Sequence, residues 1–280
     1  VVRCAQPDCV EVLTAAAAAG LCCYEDKPVC STRCLALLIE AAIHKTIVQQ
    51  DPVVESYQHR MPLGLWMLSH RWINEQQLGA ALASQRQAGS GRLGEWLVAA
   101  GATDETRVAR AVAAQWGIPL LQSDEQSRAA MGLLPRLLVE AFAVVPMRIA
   151  ADRILYLAID QKVDPCLNLA IEKMTGLRVE PVAMAGRAFR RARQELLDTP
   201  QAPGRLFRAR SLRSLQETIL ALAGEQRTRN VSLVRVHEYF WVRLERWPAA
   251  SAMAASRLAV HIEDCILAGA DSGVSPNLEN

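Results

Sequence analysis

Apolar residues fall at helical spacing from Leu35 through Leu38, Ile39, Ala42 and Ile43 to Ile47, which predicts a helix over Cys34–Val48. Asp51-Pro52 breaks it. Between residues 60 and 120 the pattern repeats. Leu63-Gly64-Leu65-Trp66-Met67-Leu68, followed by Leu78, Leu82 and Gln85, returns as Leu93-Gly94-Glu95-Trp96-Leu97-Val98, followed by Val108, Val112 and Gln115. Equivalent positions lie 30 residues apart, a period that marks a duplicated supersecondary unit. Each copy reads as a short helix, a turn and a second helix. The second helix starts at a capping residue, Asn74 in one copy and Asp104 in the other. Gly101 supplies a helix stop in the second copy, where the first copy has Arg71.

The rhythm changes over 121–198. Leu134–Phe142 reads as a helix. Ala143–Arg148 and Ile154–Ile159 read as strands joined by a hairpin-like link at Ala150-Ala151-Asp152-Arg153. Asp164-Pro165 opens a helix over Cys166–Thr175, and Gly176 stops it. Leu177–Val182 reads as a third strand and Arg187–Leu197 as a closing helix, which makes a small α+β unit. Residues 199–204 have linker composition. Beyond them, Leu212–Ala223 is amphipathic, and Val231–Leu244 reads as a late strand containing His237-Glu238. The tail 269–280 is small, polar and expected to be flexible.

Cysteine usage changes the picture at the N-terminus. Cys4, Cys9, Cys22, Cys23, Cys30 and Cys34 crowd the first 34 residues, whereas Cys166 and Cys265 stand alone. Two short pairs, Cys4/Cys9 and Cys30/Cys34, suit the soft tetrahedral set that zinc requires. Cys22 or Cys23 is an alternative ligand in place of Cys4 or Cys9. Buried thiols without a metal are the competing reading. Val29-Cys30-Ser31-Thr32-Arg33-Cys34-Leu35 resembles the second knuckle of a treble-clef finger, with the last ligand in the first turn of a helix. The fold class is thus α+β: a Cys-rich zinc module and helix (1–50), tandem helical motifs (60–120), an α+β unit (121–198), a short α/β extension (205–268) and the tail.

Composition excludes more than it assigns. The formal net charge is +2, so the chain as a whole gives no argument for a nucleic-acid surface. The first 34 residues carry Arg3, Lys27 and Arg33 against Asp8, Glu11, Glu25 and Asp26, so a nucleic-acid-binding finger ranks last. The arginines of 187–213, Arg190 among them, read first as a solvated face, with a site for a phosphate, an acidic partner or nucleic acid as the alternative. No apolar run reaches about 18 residues, and a transmembrane helix is not expected. No phosphate-cradling Gly-x-x-x-x-Gly-Lys-Ser/Thr occurs, nor HExxH, nor a Gly-x-Ser-x-Gly elbow. An enzyme is therefore not expected.

Arg92-Leu93-Gly94-x-x-Leu97-Val98-x-x-Gly101 with Val108, Val112 and Gln115, in tandem with the first copy and followed by Gly176-Leu177-Arg178-Val179-Glu180-Pro181, resembles the MshE-type N-terminal domain. That domain precedes the ATPase of type II secretion and type IV pilus assembly proteins. The resemblance covers about residues 58–198. It implies cyclic di-GMP binding through both motifs. The contact candidates it implies are Arg92, Leu93, Gly94, Leu97, Val98, Gly101 and Gln115, with Leu63, Gly64, Met67, Leu68 and Gln85 in the first copy. Guanidinium groups pair with phosphate or stack on guanine, and backbone beside glycine allows close approach. The first copy departs from the motif, with Pro62 for Arg and Arg71 for Gly. Arg60, two residues before Pro62, is a candidate to replace the missing guanidinium.

The reading is a non-enzymatic bacterial regulator or adaptor with structural zinc. It is expected to be cytoplasmic, or peripheral at the inner membrane through a partner, and to contact protein components of a secretion or pilus machine. The alternative is a protein-docking module of such a machine that binds no nucleotide.

Overall fold

The computed structural model describes residues 1–48, 61–121, 126–160, 163–199, 205–225, 228–247 and 261–268. The predicted break at Asp51-Pro52, Arg60, most of the 199–204 linker and the 269–280 tail lie outside the described residues. In chain order the first elements are β1 (Val2–Arg3), β2 (Val12–Leu13), α1 (Ala15–Ala18), β3 (Cys23–Tyr24), β4 (Lys27–Pro28) and α2 (Thr32–Val48). The repeats are α3 (Leu63–Ser69), α4 (Glu75–Ala88), α5 (Leu93–Ala99) and α6 (Glu105–Trp116). Then come α7 (Arg128–Met131), α8 (Arg136–Phe142), β5 (Val144–Ala150), β6 (Ile154–Ile159), α9 (Pro165–Thr175), β7 (Arg178–Ala183) and α10 (Gly186–Asp198). The last elements among the described residues are β8 (Arg205–Arg208), α11 (Leu212–Glu225), β9 (Thr228–Val236), β10 (Tyr239–Arg246) and β11 (His261–Ala268). No helix among the described residues is long and apolar enough to cross a membrane.

The chain divides into two units, residues 1–53 with 202–280, and residues 54–201. The sequence reading separates a Cys-rich module from a C-terminal extension. The structure instead makes them one unit, because the short β3–β4 hairpin cannot complete a sheet alone. Its sheet runs β4-β3-β9-β10-β11-β8. β3 adds to β9 in parallel, with Cys23 opposite Asn230. Glu25 and Asp26 turn the hairpin at φ 46° and 64°. The Asp26 amide donates to Asn230 Oδ1 at 3.0 Å, and Asn230 Nδ2 donates back to Asp26 Oδ1 at 3.1 Å. Leu35, Ile39 and Ile43 on α2 and Leu215, Ile219 and Leu222 on α11 bury their stripes against Val231, Leu233, Phe240, Val242, Leu244, Cys265 and Leu267. The late β-rich stretch is two strands rather than one. His237 (φ 51°) and Glu238 form the turn between β9 and β10 and do not lie within a strand.

The second unit holds the duplication and a three-stranded sheet, β5-β6-β7. β5 and β6 pair antiparallel through a turn at Ala151 and Asp152, both at positive φ, 48° and 53°. β6 and β7 pair in parallel with α9 as the crossover. Asp164 caps α9 by accepting from the Leu167 amide at 3.1 Å. In the repeats Asn74 makes a full capping box with Gln77, and Asp104 caps α6. The copies interlock: α3 packs on α6, and α5 packs on α4. Met67 and Leu97, equivalent by the repeat, are both fully buried. The turns match as well. Trp72 N donates to Met67 O at 3.0 Å and Ala102 N to Leu97 O at 2.9 Å. Gly101 (φ 67°) and Arg71 (φ 56°) take the same left-handed step, so the first copy keeps the turn without the glycine.

Candidate functional site

The start of α5 opens onto a cleft of about 390 Å³, a size usual for small-ligand sites. Arg92 is the N-cap residue, with extended backbone (φ −105°, ψ 146°), and its amide donates to Glu95 Oε2 at 3.1 Å. The floor is apolar: Leu93, Val98, Val108 and Val112. A β-carbon on Gly94 would lie 2.6 Å from Val108 Cγ1, so glycine is what lets α5 approach α6 this closely. The far wall comes from the end of β6 (Ile159, Asp160), the end of β7 (Ala183, Met184) and the first turn of α10 (Gly186, Arg190).

The rim is charged and internally paired. Arg92 Nη1 meets Asp160 Oδ1 at 2.5 Å and Nη2 meets Glu95 Oε1 at 3.3 Å. Arg190 reaches Glu105 at 3.3 Å and Glu95 at 3.8 Å. The backbone amide of Arg187 donates to Glu105 Oε2 at 2.6 Å, which places a carboxylate at the start of α10. The guanidinium groups of Arg92 and Arg190 thus face the carboxylates of Glu95, Glu105 and Asp160. Among the described residues lining the cleft there is no Ser, Cys, His or Lys.

The cleft brings together Leu63, Arg92, Leu93, Gly94, Val98 and Gln115 of the motif residues. It does not bring in the others. Gly64 is buried, and a β-carbon there would lie 2.7 Å from Leu78 Cδ1. Met67 and Leu97 fill the core between helices, with Leu68 packed partly against it. Gly101 is exposed at the far end of α5. The two glutamines act on backbone. Gln85 Nε2 donates to Gly91 O and Gln115 Nε2 to Met61 O, both at 2.9 Å, so each copy braces the residue that precedes the other copy's first helix. Sequence reasoning missed Asp160 and Glu105, and ranked Arg190 first as part of a solvated face. A carboxylate just past a predicted strand end was the one available signal for Asp160.

The second candidate lies in the other unit. The thiol sulfurs of Cys4, Cys9, Cys30 and Cys34 all fall within 4.8 Å of one another, the set that the two short pairs supply. Cys30 Sγ is 3.6 Å from Cys9 Sγ and 3.5 Å from Cys34 Sγ. Ser31 caps α2 by accepting from the Cys34 amide at 3.3 Å, which puts Cys34 in the first helical turn. The Cys30 amide donates to Cys4 Sγ at 3.4 Å, the kind of contact that holds a thiolate ligand in place. Burial raises Cys4, but the amides of Cys30 and Gln6 and the neighbouring thiols outweigh it, and the net direction is down. Cys30 is pushed up to about 12, foremost by Cys34. Crowded thiols that share protons are a set from which a divalent metal would displace them. Cys22 and Cys23 lie on and beside β3, outside this cluster.

No family model matches the chain, and no curated protein sequence matches it. Solved structures do. About half of this chain is similar to each of them. A structure of MshE with cdg is 22% identical and covers 49% of this chain and 99% of that chain, with a TM-score of 0.40. Two structures of the N-terminal domain of XpsE are 22% and 20% identical. They cover 47% and 52% of this chain, and 91% and 98% of theirs, with TM-scores of 0.33 and 0.29.

Proposed function

We propose that this chain is a non-enzymatic bacterial regulator or adaptor that works by binding, and that its ligand is cyclic di-GMP. The observation that carries the reading is Arg92, which stands at the mouth of the apolar cleft beside Gly94. A phosphodiester suits the guanidinium, and a purine face suits the floor of Leu93, Val98, Val108 and Val112. Ligand grip is concentrated in the second copy, because Pro62 caps α3 where Arg92 caps α5 and makes no side-chain bond there. Cys4, Cys9, Cys30 and Cys34 would hold a structural zinc, which would tie the N-terminal loop to the start of α2. The protein works in the cytoplasm, or at the inner membrane through a partner, in a secretion or pilus-type system.

A second reading is favoured by Pro62 and by the internal pairing of Arg92. In it the repeats are a protein-docking scaffold that takes no nucleotide. Calorimetric titration with cyclic di-GMP separates the two. Saturable heat that disappears in Arg92→Ala supports the receptor. No heat, and no shift in melting temperature with ligand, supports the scaffold.

A further inference from the structure

We infer that Asp160 is a built-in competitor for the ligand seat at Arg92, and so sets the affinity of the cleft for anions. The inference rests on the ligand-binding reading for its purpose, but the geometry stands by itself. Asp160 follows the last residue of β6 and lines the cleft. Its side chain is 14% exposed, and its Oδ1 lies 2.5 Å from Arg92 Nη1. That nitrogen is a donor a phosphate oxygen would use. The other terminal nitrogen, Nη2, is held by Glu95. The neighbouring guanidinium, that of Arg190, is itself held by Glu105 and Glu95.

An entering phosphodiester therefore finds no unpaired cation among these two. To take the Nη1 position it must displace the Asp160 carboxylate, and the displaced group remains close by. Coulomb repulsion between Asp160 and the arriving anion adds to the loss of the ion pair. The carboxylate thus acts as a filter. It turns away weakly held anions and admits those with enough apolar and stacking surface to offset the exchange. The class of ligand this favours is a phosphodiester joined to a flat, largely apolar body, rather than inorganic phosphate or a simple carboxylate.

Asp160→Asn and Asp160→Ala test this in the full chain, with melting temperature as the folding control. Two measurements are made. One is calorimetric titration with cyclic di-GMP and, in parallel, with inorganic pyrophosphate. The other needs no ligand: the rate at which phenylglyoxal modifies Arg92, read by peptide mass spectrometry against the exposed Arg187. Both variants are expected to bind cyclic di-GMP about three- to tenfold tighter than wild type. They are expected to gain a measurable response to pyrophosphate, and to modify several-fold faster at Arg92 with Arg187 unchanged. Unchanged Arg92 reactivity in both variants overturns the inference, whatever the ligand does. So does weaker cyclic di-GMP binding in both, which would make Asp160 a positioning residue. If wild type binds and the variants bind no tighter, the competitor role falls while the receptor reading stands. If wild type and variants are all silent towards cyclic di-GMP but Arg92 reactivity rises, the receptor reading falls and the pairing role stands.

Discussion

The close approach of helices in the duplicated unit makes a graded prediction for three glycines. A β-carbon on Gly94 would meet Val108 Cγ1 at 2.6 Å. Carbon atoms in contact sit about 3.5–4.0 Å apart, so about 1 Å of space must open. Val108 is β-branched and, in a helix, largely confined to one rotamer, so the backbone of α5 or α6 has to move. Overpacking of this kind costs about 1–3 kcal/mol, against a helix-propensity gain of at most about 1 kcal/mol for Ala over Gly. Gly94→Ala should therefore lose about 1–2 kcal/mol. At Gly64 the equivalent β-carbon meets Leu78 Cδ1 at 2.7 Å and Leu93 Cδ2 at 3.0 Å. Both are ends of flexible side chains, so Gly64→Ala should fall within about 0.5 kcal/mol of wild type. Gly79, on α4, has nothing within 4 Å of its β-carbon position, and Gly79→Ala should gain about 1 kcal/mol. Urea unfolding followed by tryptophan fluorescence reads mainly this unit, which holds Trp66, Trp72, Trp96 and Trp116, against Trp241 and Trp247 in the other. In thermal melts the loss at Gly94 should appear as a fall of about 3–6 °C. Adding Val108→Ala should recover part of the loss in a double-mutant cycle. A Gly94→Ala protein as stable as Gly79→Ala would refute the packing argument.

Arg71→Gly relieves a non-glycine residue at φ 56° and should stabilise the protein by about 0.5–1 kcal/mol in thermal or urea melts. Protein purified without chelator should contain one zinc per chain by atomic emission. Cys34→Ser or a strong chelator should remove the metal and lower the melting temperature of the unit that carries Cys30 and Ile39, and zinc affinity should fall as pH falls because binding releases thiol protons. Burial, with Cys23 nearby, pushes Cys22 up to about 11 from its usual 9.0. The folded state then keeps a proton that the unfolded state gives up. This contribution is whole below pH 9 and is lost between about pH 9 and pH 11, worth about 1–2 kcal/mol after allowing for partial exposure. Cys22→Ala should flatten that part of the stability curve in urea titrations.

What was legible in the sequence was local. Asn74, Asp104, Asp164 and Gly176 set their helix ends by capping and by left-handed φ, and the structure places those ends within two residues of where the pattern puts them. The Cys4/Cys9 and Cys30/Cys34 pairs were readable because short spacings on turns bring thiols together almost regardless of the rest of the chain. What depended on distant partners was hidden. Asp26 and Asn230 are 204 residues apart, and no periodicity in residues 1–50 announces that β3 will join β9. β8, Arg205-Leu206-Phe207-Arg208, is too short and too basic to register as a strand, and becomes one only because β11 offers it a parallel edge. The rim of the cleft was hidden for the same reason, since Asp160 reaches Arg92 across 68 residues. Residues such as Met67 and Leu97 share a motif with Arg92 yet point into the core, because one face of a seven-residue helix serves the cleft and the other serves the packing.

The unit built from both ends of the chain has a consequence for synthesis on the ribosome. Residues 1–53 belong with residues 202–280, and the whole second unit is made between them. At about 5–20 residues per second, α2 emerges on the order of 10–30 s before β9 exists to cover it. For that interval Leu35, Ile39 and Ile43 have no sheet to lie on. The four thiols at the helix's start, by contrast, are all present once residue 34 is out. The nascent N-terminal segment can therefore close its cysteine cluster early, while its apolar stripe waits for strands that lie on the far side of an inserted domain.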